Sequence, residues 1–180
     1  VMAFFECINS SKPQTAVQLL WALAKLGYGC EEAGAYIGNL DEAGPPPSLG
    51  NHGTSAAAAV YKQLFSMITY FAKVLEPHDW SVVMHSTVCL GCSGQAVDEL
   101  AGVISRKATH ARAKWDGCSI ASCLCSWAVL SSSGCVSNEL NNMARAMFKA
   151  ANTLVKMKGP AAFEGSQQLA QLYTAHVEAE

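Results

Sequence analysis

Apolar and polar positions recur at helical spacing along nearly the whole chain. In PQTAVQLLWALAKLG, residues 13–27, Val17, Leu20, Leu23, Ala24 and Leu26 stand three and four apart, the interval that puts side chains on one face of an α-helix. Pro13 suits the first turn, where its missing N–H leaves no bond unmade. Gly27 and Gly29 accept left-handed backbone and stop the helix. Glu31 and Glu32 then open a second helix through Leu40, with acids at the positive end of its dipole. Residues 1–40 therefore read as helical hairpin, joined by a tight glycine turn. Residues 41–54 set Pro45, Pro46 and Pro47 among Gly44, Gly50 and Gly53, a density of breakers that predicts a loop.

The same periodicity predicts helices over 55–75, ended before Pro77, and over 93–114, with Ser93 as cap and Val97, Leu100, Ala101 and Ile104 on one face. It predicts others over 119–130, over 137–158 and over 166–176. The helix over 137–158 is capped by Ser137 or Asn138, lined by Met143, Met147, Leu154 and Met157, and closed by Gly159-Pro160. The β-branched stretch 80–88 reads as helix by context, because a lone strand has nothing to pair with. The expectation is an all-α fold, a short α-solenoid of antiparallel helical hairpins, with stacked helices over 55–180 in one continuous domain. Four segments look alike: QLLWALAKL (18–26), QLFSMITYF (63–71), CLCSWAVL (123–130) and QLAQLYTA (168–175). Trp21, Trp127 and Tyr173 take similar places in three of them, as a two-helix repeat would give. The opening VMAFFECINSS reads as the end of an amphipathic helix, and Val1 in place of Met fits a processed or partial product.

Composition adds a second theme. Apolar residues make up 51% of the chain and charged residues only 14%, against about 25% charged in ordinary globular domains. So little charge leaves little to cover an outer surface, which favours surfaces that meet other macromolecules. The net charge of −2 argues against a generic polyanion binder, but its distribution is lopsided. From Arg106 to Lys158 there are eight Lys or Arg against Asp116 and Glu139, a net of +6, while the rest of the chain carries −8. Arg106, His110 and Lys114 fall at i, i+4 and i+8, with Lys107 and Arg112 beside them, and Arg145, Lys149 and Lys156 repeat the arrangement on a later helix. Such asymmetry suits a one-sided contact with an anion. Residues 117–138 carry no formal charge and are long enough to cross a bilayer. They are rich in Ser, Gly and Cys rather than large aliphatics, which predicts a buried helix and no membrane span.

Candidate chemistry is sparse. The eight cysteines read mostly as free buried thiols in a reducing compartment, since a chain this long and apolar needs no disulfide staples. Cys89-Leu90-Gly91-Cys92 would need Cys118, Cys123 or a histidine to hold zinc or an iron–sulfur cluster. A structural zinc site usually shows two tight ligand pairs, and only one is here. Cys123 and Cys125 point apart on a helix. Cys125 and Cys135 have the separation seen in helical-hairpin import substrates of the mitochondrial intermembrane space, without the second pair these need. None of His52, His78, His85, His110 and His176 stands at a metal-like spacing from a second ligand. No paired acids, nucleophile elbow or phosphate loop nominates a catalytic residue or a cofactor. Trp21, Trp80, Trp115 and Trp127 read as core anchors before base-stacking platforms, and Trp115, which ends the basic stripe, is the one for which stacking on a base is the alternative.

The segment PQTAVQLLWALAKLG closely resembles the first-helix consensus of octotricopeptide repeats and is similar to the heptatricopeptide repeats found with RAP domains. The segments around Trp127 and Tyr173 match loosely, and residues 41–114 depart from the pattern. The resemblance implies paired antiparallel helices and an organellar protein that handles RNA. On it rests the expectation of a noncatalytic helical repeat protein contacting structured RNA in a mitochondrial ribosome or similar assembly. Its partners would be ribosomal or other organellar RNA and other protein subunits, in the mitochondrial matrix or, alternatively, the plastid stroma. Nucleic-acid contact is then assigned to Arg106, Lys107, His110, Arg112, Lys114, Arg145, Lys149 and Lys156. The alternatives are a structural subunit of a protein-only organellar complex, such as a respiratory or photosynthetic supercomplex, and a thiol- or metal-dependent enzyme.

Overall fold

The computed structural model describes residues 12–26, 52–110, 114–163, 165 and 171–172, with side chains in the second helix from Val60 onward. Six α-helices run through them: α1 Pro13–Lys25, α2 His52–Tyr70, α3 Pro77–Cys89, α4 Gln95–Thr109, α5 Gly117–Ser132 and α6 Asn138–Lys158, followed by a 3-10 turn, Pro160–Phe163. No strand occurs among the described residues. The helix expected over 31–40, the loop over 41–51 and most of the helix over 166–176 lie outside them. Residues 52–54, expected in the loop, begin α2 instead; none of the three prolines falls among them, so nothing in their own sequence forbids helix.

The helices alternate between two layers. In one, α3 packs between α1 and α5; in the other, α4 lies along α6 in the most extensive helix–helix contact among the described residues and touches α2 more lightly. Within the hairpins, α1 meets α2 and α5 meets α6. This alternation is that of a short helical solenoid. Between the layers lie Leu20, Leu64, Ile68, Trp80, Met84, Leu100, Ile104, Ile120, Leu124, Leu140, Met143 and Met147, all essentially sealed from solvent. The uncharged stretch is explained by α5, which is buried over most of its surface, from Gly117 through Ile120, Leu124 and Trp127 to Leu130, and leaves only a stripe through Cys118 and Val129 open to solvent. No helix among the described residues is long and apolar enough to cross a membrane.

Helix ends carry much of the specificity. Glu76 N–H donates to the Asp79 carboxylate at 2.9 Å beside Pro77 at the start of α3. Asp116 accepts from Ser119 N–H at 2.7 Å and caps α5. Ser137 accepts from Leu140 N–H at 3.1 Å, capping α6, while its hydroxyl donates to Asp98 of α4 at 2.5 Å. Ser93 does not cap α4; that position belongs to Gly94, whose φ of 77° a serine would adopt only under strain. Both α3 and α5 end in the same turn. After α3, Gly91 takes φ 66°, Gly91 N–H reaches Val88 O and Cys92 N–H reaches Thr87 O. After α5, Gly134 takes φ 87°, Gly134 N–H reaches Ser131 O and Cys135 N–H reaches Leu130 O. These are paired Schellman closures on a left-handed glycine, each followed by cysteine.

Candidate anion-binding groove

α4 ends at Thr109, and Lys114 and Trp115 lead into α5. Ala108, Thr109, His110, Lys114 and Trp115 face the C-terminal half of α6 across an open groove of about 530 Å³. The space exists because the facing residues are small: Ala108 on one side, Ala146 and Ala150 on the other. Trp115, Leu154 and Met157 complete an apolar lining, to which Thr109 and Thr153 add hydroxyls. Four nitrogenous side chains line it, His110 just after α4, Lys114 just before α5, and Lys149 and Lys158 from α6, and no carboxylate lines it among the described residues. Lys158 is nine positions beyond Lys149, so their backbones lie about 13.5 Å apart along the helix at 1.5 Å per residue. Lys156 and Lys158 also occupy the last turn of α6, where the exposed carbonyl end of the dipole favours cations.

The structure divides the eight sequence-assigned residues. His110, Lys114 and Lys149 meet in the groove. Arg145 and Lys156 are exposed on α6, flanking Lys149 at i−4 and i+7 and extending its stripe. Arg106 lies elsewhere, in a surface depression shared with Asp98, Glu99 and Glu139, where an incoming phosphate would meet like charge. Lys107 is committed to the fold: its ammonium donates to Leu75 O at 2.8 Å and lies 6.0 Å from the Trp80 ring centre. Burial pulls its pKa below the ordinary lysine value, against the opposing pull of Glu76 and Asp79. Arg112 is outside the described residues. The stripe expected at i, i+4 and i+8 does not form, because α4 stops at Thr109 and only Arg106 of the three stands on it. Lys158 was missed by spacing, since it is off the stripe of Arg145, Lys149 and Lys156; its place in the last helical turn was the available signal.

The aromatic expectations also divide. Trp80, Trp115 and Trp127 are buried, but Trp21 is 45% exposed, with Lys25 Nζ 5.8 Å from its ring centre. Trp127 meets Phe148 edge-on at 6.3 Å and its Nε1 donates to Asn141 at 3.4 Å, so Trp21 and Trp127 do not occupy like environments. Trp115 lines the groove while only 7% exposed, which leaves too little of its face for base stacking, and its indole N–H has no hydrogen-bond partner among the described residues.

All six described cysteines are free. Cys92 and Cys123 are buried, and burial pushes both thiols up to about 12. Cys125 and Cys135 are half-buried, whereas Cys89 and Cys118 are exposed, so the expectation that most are buried holds for only some of them. The Cys89–Cys92 pair is split between surface and core. Among the described residues no group of three or more His, Cys, Asp or Glu gathers at metal-binding distance.

No family model, curated protein or solved structure matches this chain.

Proposed function

We propose that the chain is a noncatalytic helical protein that holds structured RNA by its phosphates inside an organellar assembly, such as a mitochondrial ribosome. One observation carries the reading: His110, Lys114, Lys149 and Lys158 line a groove with no carboxylate in its lining among the described residues, and Arg145 and Lys156 continue the basic strip along α6. The organellar setting, matrix or stroma, rests on the resemblance of residues 13–27 to octotricopeptide repeats. Contacts of this kind fix position and are blind to sequence.

Salt dependence tests the reading. Each phosphate neutralised adds about 0.7–0.9 to the slope of log affinity against log salt. Replacing Lys114, Lys149 and Lys158 with Gln should lower the slope for a labelled RNA hairpin by about two and weaken binding at least tenfold at low salt. Replacing Arg106 with Gln should leave the slope unchanged. No binding at low salt, or equal losses from both variants, would refute the proposal.

A second reading, a subunit of a protein-only complex, draws on exposed apolar side chains: Tyr70 is 82% exposed, Leu26 70% and Val74 55%. A native complex free of RNA, with the α6 groove seated on protein, would establish it in place of the first.

A further inference from the structure

The groove beside α6 is more apolar than a phosphate needs. Ala146, Ala150, Leu154 and Met157 stand at i, i+4, i+8 and i+11 on α6, and all four line it. They form one stripe about 16.5 Å long at 1.5 Å per residue. At its far end Met157 is 76% exposed. A sugar–phosphate backbone would use the cations of the groove and gain little from this aliphatic floor.

An occupant that satisfies the whole lining carries both charge and an apolar body. The charge is negative, to complement His110, Lys114, Lys149 and Lys158. The body is aliphatic rather than planar. A nucleobase is held by stacking on an open ring face, and Trp115, the largest ring in the lining, is only 7% exposed. Leu154 and Met157 offer flexible aliphatic surface instead, and a methionine adapts its shape to the chain that lies on it. The ligand is also small and elongated: about 530 Å³ lies within the range of small-molecule sites, and the stripe runs along the helix.

We infer that the groove binds a small amphipathic anion, an acyl chain with a carboxylate head, its chain along the stripe from Ala146 to Met157 and its head among the lysines. Binding buries the stripe and pairs the head with cations; no covalent bond forms or breaks. The head and an RNA phosphate would draw on the same lysines, so the two ligands exclude one another. The inference shares the groove with the RNA reading but does not rest on it, and its test contains no RNA.

The test is a titration of the full chain with dodecanoate, below its micelle concentration, followed by calorimetry and by nuclear magnetic resonance of isotope-labelled methionine methyl groups. The expected result is one site per chain. The Met157 methyl signal should shift, while those of Met84, Met143 and Met147, sealed in the core, stay in place. Dodecanol, which lacks the charge, and acetate, which lacks the chain, should each bind at least about tenfold more weakly. Lys114→Gln with Lys149→Gln should weaken dodecanoate by about tenfold and leave dodecanol unchanged. Ala150→Trp fills the groove and should abolish binding while keeping the helical circular dichroism; if that variant unfolds, the lysine variants and the Met157 signal still decide. Arg106→Gln should change nothing. Dodecanol binding as tightly as dodecanoate, a Met157 signal that does not move, or no saturable binding at millimolar dodecanoate would overturn the inference, and RNA binding by the same protein would then leave the first proposal standing.

Discussion

Gly117 and Gly102 both lie in helices, yet replacing each with alanine should have opposite effects. A Cβ on Gly117, the first residue of α5, would stand 2.0 Å from Ala162 O and 3.0 Å from Phe163 Cδ1. A tolerable carbon–oxygen contact is about 3.3 Å or longer, so the turn Pro160–Phe163 must retreat by more than about 1 Å. That retreat draws Phe163, 5% exposed, out of its seat against the core. Full burial of a phenylalanine is worth about 1.5–3 kcal/mol. The helical preference of alanine over glycine returns about 1 kcal/mol at most. Gly117→Ala should therefore destabilise by about 1–2 kcal/mol, lowering the melting temperature by about 2–8 °C for a chain of this size. A Cβ on Gly102 meets only the Arg106 guanidinium at 3.5 Å, the far end of a flexible side chain. Gly102→Ala should stabilise by about 0.5–1 kcal/mol. Urea unfolding followed by far-ultraviolet circular dichroism resolves both changes. A Gly117→Ala protein as stable as the parent would refute the close approach of the turn to α5.

Three further outcomes follow from particular contacts. Ser137→Ala removes the cap of α6 and the bond to Asp98 together, and should lower stability by about 1–2 kcal/mol in the same urea assay. Lys107→Gln loses the bond to Leu75 O and the Trp80 contact; it should cost about 1 kcal/mol in that assay and leave the salt slope of RNA binding unchanged in anisotropy titrations. Cys92 and Cys123 have folded pKa values of about 12 against an ordinary 9.0, so their contribution is intact below pH 9 and lost as pH rises towards 12, at up to about 1.4 kcal/mol per pH unit for each thiol; unfolding curves across that range should be flatter for Cys92→Ala and Cys123→Ala.

The helices were legible because their signals are local. Apolar spacing, Ser137 as a cap and Gly159-Pro160 as a stop lie within a few residues of what they specify, and α6 runs as expected from Asn138 to Lys158. The basic site was less legible because its members are paired at long range. Lys107 is tied to Leu75, thirty-two residues earlier, and Asp98 to Ser137, thirty-nine residues later. Nothing near Lys107 in sequence shows that its ammonium is committed, and nothing near Arg106 shows Glu139 beside it. The end of α4 was hidden for another reason: no Gly or Pro interrupts KATHARAK, residues 107–114. The departure there accompanies the burial of Trp115 and the Asp116 cap of α5, a tertiary demand that overrides helix preference.

The internal repeat was sought in the large side chains, and these align the wrong features. Segments 18–26 and 63–71 look alike, but α1 and α2 belong to different layers, so their apolar faces meet different neighbours. Trp21 and Trp127 do share a layer, yet one is exposed and the other packs on Phe148. The correspondence lies instead where a helix must stop and its partner begin. Gly91-Cys92 and Gly134-Cys135 close α3 and α5 with the same bonds, and three residues beyond each glycine stands the cap of the next helix, Gly94 for α4 and Ser137 for α6. A solenoid needs this turn conserved in shape, because it fixes how each outgoing helix lies against its neighbour. It does not need the same aromatic on each helix, because each repeat packs against a different surface.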